Sequence, residues 1–148
     1  LAPLAGHRLL SRLLLSLETG SLQGPLPALP ALSELVARGQ GVASLTGIEA
    51  AQKLRKLDIA RSAVADLTPI RGLPRLNEID LSNTQVSDLS DLKTLPCFTA
   101  SPPKGWLRAA NIPALESMAD LRPWADRDWG RDYREDGERF AKAVVARL

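Results

Sequence analysis

A chain of 148 residues, 45% of them hydrophobic and 24% charged, is long enough for one folded core or one short array and too apolar for a disordered segment. Its 19 Lys and Arg against 17 Asp and Glu leave a formal charge of +2 with the signs interspersed, so no basic block marks nucleic acid as the partner. A single cysteine, Cys97, excludes an intrachain disulfide framework and a multi-cysteine zinc site, and leaves the compartment open between cytoplasm and secretion.

Leu1 in place of Met predicts a processed or trimmed piece of a longer chain. Residues 8–20, RLLSRLLLSLETG, are leucine-rich, but Arg12 interrupts them. The longest apolar run is far short of the roughly 20 residues a membrane span requires. No small-residue cleavage site follows, as a signal peptide would need. The segment reads as buried structure, and no membrane span is expected.

Farther on, RLNEIDLSNTQVSDL at 75–89 restates KLRKLDIARSAVADL at 53–67. A spacing of 22 pairs Leu54 with Leu76, Leu57 with Ile79, Asp58 with Asp80, Val64 with Val86 and Leu67 with Leu89. One period back, Leu32, Leu35, Ala37, Val42, Leu45, Ile48 and Ala51 are all apolar, so the pattern runs through 32–53, 54–75 and 76–97. Another step back finds Leu10, Leu13, Leu15, Leu26 and Leu29, with Gly20 and Gln23 where Val and Leu belong. Residues 1–31 are therefore expected to be an N-terminal cap with a degenerate first repeat. Forward from 97, Ser101 and Pro103 stand where inward strand residues should be, and the array of three repeats over 32–97 is expected to end there.

Each unit opens with alternation such as that around Ile79 and Leu81, the period of a half-buried strand. Leu89, Leu92 and Leu95 then follow at intervals of three, the period of a 3₁₀-like turn. Asp66 and Asp88 stand where a carboxylate accepts from the amides that open such a turn. Pro69 fits inside the turn, and Pro74 and Pro96 are expected to close the returning segments. One such unit cannot cover its own apolar side, so each needs a neighbour stacked on it.

These residues resemble the leucine-rich repeats of the 22-residue internalin-like, bacterial type, whose units read LDLSxTxVxDLxxLxxLxxL. The resemblance covers 32–97 and extends weakly to 10–31. It implies an α/β fold, a short right-handed solenoid with a parallel β-sheet on its concave face and helical caps. The family pattern carries an inward Asn at the corner, where this chain has Gln40, Ser62 and Thr84. Those side chains are expected to bond to backbone without the regularity of an asparagine ladder.

Residues 98–148 hold all the aromatics, Phe98, Trp106, Trp124, Trp129, Tyr133 and Phe140, so a change of architecture is expected: a loop and a helical C-terminal cap. SPPKG at 101–105 reads as the loop. IPALESMADL reads as a short helix with Pro113 in its first turn and Leu115, Met118 and Leu121 on one side. Trp129, Tyr133, Phe140, Val144 and Leu148 form a helical stripe, with Arg131–Glu135 and Arg134–Glu138 as i,i+4 pairs. Gly137 on that stripe predicts close packing. The stripe is expected to cover the last repeat, a partner-binding helix being the alternative.

Chemistry has little to rest on. His7 is the only histidine, and Cys97 occupies the repeat position of Lys53 and Arg75 just ahead of an expected strand. Asp126, Asp128, Asp132, Asp136 and Glu138 lie close together, but Arg131 stands where a calcium loop needs its glycine. No catalytic residue, metal or cofactor is expected, and no enzyme.

What remains is the outer side of the strands. Its columns are Glu34, Lys56, Glu78, then Val36, Asp58, Asp80, then Arg38, Ala60, Ser82. Strands about 4.8 Å apart bring Asp58 beside Asp80, a small acidic strip suited to a basic partner. The expected function is protein–protein interaction through Glu34, Arg38, Lys56, Asp58, Glu78, Asp80 and Ser82. Charge reversal at Asp58 and Asp80 is expected to abolish it with the fold intact. The alternative is a structural or regulatory spacer in a larger multidomain protein, the partner being another domain of the same chain.

Overall fold

The register of the repeats is visible in the strands themselves. The computed structural model describes residues 2–4, 7–22, 24–101 and 103–148. Among the described residues five strands, β1 (Arg12–Ser16), β2 (Glu34–Arg38), β3 (Lys56–Asp58), β4 (Glu78–Asp80) and β5 (Trp106–Arg108), form one sheet in chain order. Every pairing is parallel. Arg12 lies opposite Glu34, Glu34 opposite Lys56 and Lys56 opposite Glu78, each a step of 22 residues. Gln23, one of the two positions that mark the first repeat as degenerate, lies outside the described residues.

The sheet goes on past residue 97, where the sequence pattern breaks. Glu78 pairs with Trp106, Ile79 with Leu107 and Asp80 with Arg108, a step of 28. The extra six residues are taken up by a helical turn, α1 (Pro96–Thr99), and by the segment that follows it. Pro96 closes the returning segment, which ends at Thr94 with Leu95 extended before the proline, and also opens a helix at its first turn, where a missing amide proton costs nothing. Cys97 likewise sits in α1 with no strand directly after it. Gly105 comes so close to the buried Phe98 ring that a Cβ there would lie 2.6 Å from its Cδ1, which brings the chain back into register for β5.

Inside the stack the alternating residues form columns. Leu35, Leu57, Ile79 and Leu107 are fully buried one above the other, and Val42, Val64 and Val86 continue the interior after each corner. The returning segments are short 3₁₀ turns, Ile48–Ala50, Thr68–Ile70 and Ser90–Thr94, as the three-residue spacing predicts. Asp66 accepts from the Thr68 hydroxyl at 2.6 Å and from the Thr68 amide at 2.9 Å, and Asp88 accepts from the Ser90 amide at 2.8 Å. These bonds hold both carboxyls below their usual range.

The corners are irregular in the way the missing asparagines imply. Gln40 donates to the Arg61 carbonyl of the next unit at 3.0 Å, Ser62 accepts from the Val64 amide at 3.4 Å, and Thr84 donates to the Leu81 carbonyl at 2.7 Å. No common side-chain ladder results. Backbone takes its place, with Ala63 donating to Val42, Gln85 to Val64 and Ala114 to Val86 at 2.9–3.0 Å. Each corner also turns through one left-handed residue: Gly39, Arg61, Asn83 and Asn111 have φ of 100°, 61°, 58° and 53°. Gly and Asn adopt this conformation readily and Arg does not.

The C-terminal end is closed by α2 (Arg122–Asp126) and α3 (Tyr133–Val145). The segment Pro113–Leu121 is a pair of 3₁₀ turns broken at Met118, whose φ of −125° lies outside any helix. Ala114, Leu115, Met118 and Leu121 are still all buried, because spacings of three suit 3₁₀ turns as well as an α-helix. Helix α3 lies against β5, with Phe140 and Val144 buried. A Cβ on Gly137 would meet the Trp106 indole nitrogen at 1.9 Å, which is the close packing its place on the stripe implies. Three sequence expectations fail here. Tyr133 is 49% exposed, Glu135 pairs with Arg139 in place of Arg131, and Arg134 and Glu138 do not come within 4.0 Å of each other.

Candidate functional site

The open face of the sheet carries the side chains that alternation turns outward, and the register sets them in columns. The first runs Arg12, Glu34, Lys56, Glu78, Trp106. Its signs alternate. Arg12 bonds Glu34 at 3.0 Å, and Lys56 stands 3.9 Å from Glu34 and 3.2 Å from Glu78. Exposed pairs of this kind contribute only about 0–1 kcal/mol each, so the ladder specifies which face meets solvent more than it stabilises the stack.

The second column runs Leu14, Val36, Asp58, Asp80, Arg108. Asp58 and Asp80 are side by side, as expected, but they are not alike. Asp58 is buried and accepts from Arg38 Nε at 3.1 Å, from Arg38 Nη2, and from the Ala60 amide at 3.1 Å. The same pairing, chiefly its hydrogen bond, raises the Arg38 guanidinium above its ordinary value. Asp80 accepts from the Ser82 amide at 3.0 Å and is also bonded by the Ser82 hydroxyl. Burial, reinforced by the neighbouring Asp58, pushes its carboxyl above the usual range against the pull of the Ser82 bond and of Arg108.

All seven residues expected to bind a partner fall on this face, though not with equal access. Glu34, Lys56, Glu78 and Asp80 are half-buried and Arg38 is exposed. Ser82 is buried, its hydroxyl accepting from the Ala110 amide at 3.2 Å. Asp58 is an internal anchor for Arg38. Charge reversal there would bury a cation beside Arg38 and disturb the fold, so the Asp58 and Asp80 double reversal is not the clean probe that the sequence alone suggests.

Sequence reasoning missed the residues that continue the columns onto β5. Trp106 follows Glu78, Arg108 follows Asp80, and Tyr133 of α3 sets its ring edge-on to Trp106 with centroids 6.3 Å apart. Arg108 lies over the Trp129 ring at 5.6 Å. A signal was present: WLRAAN at 106–111 restates EIDLSN at 78–83 with Leu107, Ala109 and Asn111 in the places of Ile79, Leu81 and Asn83. The step of 28 hid it. Asn111 confirms the match by donating to Asn83 Oδ1 at 3.0 Å.

The acidic run after Asp126 has its own partners. Asp126 accepts from the Asn111 amide at 3.0 Å, Asp128 from the Gly130 amide at 2.9 Å, and the buried Asp136 from Arg127 at 2.7 Å. His7 lies before β1 and Cys97 after β4, so the two stand at opposite ends of the stack. No helix among the described residues is long and apolar enough to cross a membrane.

A family model described as leucine rich repeats in two copies matches residues 52–94, the span of β3, β4 and the returns around them. A search of curated proteins finds no match to the chain. Domains built of such repeats generally mediate protein–protein interaction and are typically scaffolds without catalysis of their own. With that match and a parallel sheet whose strands recur in register over stacked apolar columns, residues 52–94 are similar to leucine-rich repeats and the chain has the fold of a leucine-rich repeat solenoid.

Proposed function

We propose that this chain is a protein-interaction module that takes a partner on the open, concave face of its sheet, with Glu34, Arg38, Lys56, Glu78 and Asp80 as the polar contacts and Asp58 and Ser82 holding them in place. The observation that carries the reading is the alternating column Arg12, Glu34, Lys56, Glu78, a charge pattern fixed by backbone register and available to a partner along its whole length. Fixed patterns of opposite sign select partners by complementarity and penalise mismatched ones.

The test inverts the column without breaking it. The quadruple variant R12E/E34K/K56E/E78K keeps every neighbouring pair opposite in sign and reverses what a partner meets. It is expected to keep the circular dichroism and melting temperature of the parent while losing, by at least about tenfold, the affinity for whatever partner the parent retains in a pulldown with mass-spectrometric identification. Unchanged affinity would remove this face as the site. A second reading is a structural or regulatory spacer whose partner is another domain of a larger protein. Under that reading the inverted variant loses contact with that domain and with no separate protein.

A further inference from the structure

We infer that the hollow between β4, β5 and the start of α3 receives the guanidinium of an arginine from a protein partner and so anchors the docking face. The inference rests on the docking reading above and specifies its chemistry.

The charge pattern points to a missing cation. In the first column the signs alternate as far as Glu78, and the place where the next cation would stand is taken by Trp106. Among the described residues Glu78 has one cation within 4.0 Å, Lys56 at 3.2 Å, which is shared with Glu34, while Lys104 and Arg134 line a separate hollow on its other side without pairing to it at that distance. In the second column Arg38 answers Asp58, and among the described residues no cation stands within 4.0 Å of Asp80. Arg108, next in that column, is drawn over Trp129.

Both carboxylates border one hollow of about 160 Å³, which Trp106 and Tyr133 also line. Tyr133 is half exposed there while Trp106 is fixed, its indole nitrogen donating to the Tyr133 carbonyl at 3.0 Å and its ring pressed on Gly137. A rigid aromatic wall beside two under-neutralised carboxylates suits a planar cation that stacks on the one and donates to the others. Guanidinium does both, whereas an ammonium does not stack. Arg108 over Trp129 already makes the equivalent contact within the chain. Lys56 also lines this hollow, but its ammonium pairs with Glu34 and Glu78 and not, within 4.0 Å, with Asp80.

The test uses the full chain labelled with nitrogen-15 and two probes, N-acetyl-arginine amide and its neutral isostere N-acetyl-citrulline amide. Arginine is expected to shift the Trp106 indole resonance and the Ser82 amide, with millimolar affinity, and citrulline to leave both in place. E78Q/D80N is expected to weaken the arginine response by about tenfold or more, and Y133A by about threefold to tenfold. Both variants preserve the size of the site or alter an exposed side chain, and their unshifted core methyl resonances check that they fold. Equal responses to the two probes, shifts confined to residues away from the hollow, or no response at tens of millimolar arginine overturns the pocket. If any of these occurs while the inverted column still abolishes partner capture, the arginine pocket falls and the docking reading stands.

Discussion

Arg61 is the one residue among the four corners whose side chain opposes the conformation the solenoid demands of it. Its counterparts Gly39, Asn83 and Asn111 take the left-handed turn at little cost, while a Cβ-bearing residue without a short polar side chain is strained there. The Arg61 amide donates to the Ser82 carbonyl at 2.8 Å and its carbonyl accepts from Gln40, so the backbone is held whatever the side chain. Arg61→Asn is therefore expected to raise stability by about 0.5–1 kcal/mol, measured as a higher urea midpoint with unchanged m-value. An unchanged or lower midpoint would mean that the exposed Arg61 side chain makes up for the strain. The individual site residues were legible in the sequence because period two assigns Glu34, Lys56 and Glu78 to one face. That Asp58 is an internal partner of Arg38 was not legible: the link runs diagonally between neighbouring strands, and an identity at a repeat position does not show which acid is answered.

At the level of elements, strand and return were readable wherever the step stayed at 22, since both rest on local alternation and leucine spacing. β5 was not, because six inserted residues moved it out of phase and put Ser101 and Pro103 where its leucines were sought. The closing helix was readable from its stripe, and Gly137 marked the contact. What no pattern could supply was the other side of that contact, the Trp106 indole. Gly137→Ala is expected to destabilise the chain by about 1–3 kcal/mol, because the indole is held by its own hydrogen bond and cannot give way. That outweighs the roughly 1 kcal/mol that alanine gains over glycine in helix propensity. Chemical denaturation followed by circular dichroism measures the loss, and combining the variant with Trp106→Leu should recover part of it if the indole is the obstacle.

Over the whole molecule the two ends of the stack differ. β5 is covered by α3, whereas β1 is the first strand in the sheet order and is preceded by a 3₁₀ turn at Ala2–Leu4. Leu14 of β1 is 62% exposed and Leu13 is the least buried of its interior column. In a stack where each coil leans only on its neighbours, β1, paired with β2 alone among the described residues, is expected to open before strands paired on both sides. Hydrogen exchange is expected to run at least about tenfold faster in β1 than in β3 and β4 under native conditions. Equal protection would show that the segment before β1 seals that end as well as the helices seal the other.

The confinement of every indole to the last third of the chain has an optical consequence. Trp106, Trp124 and Trp129 sit together around Phe140 and Tyr133, and the repeats from β1 to β4 contain no fluorophore of their own. Intrinsic emission from this protein is thus a report on one terminus: it dims or reddens when the aromatic end loosens and stays silent when the opposite end does.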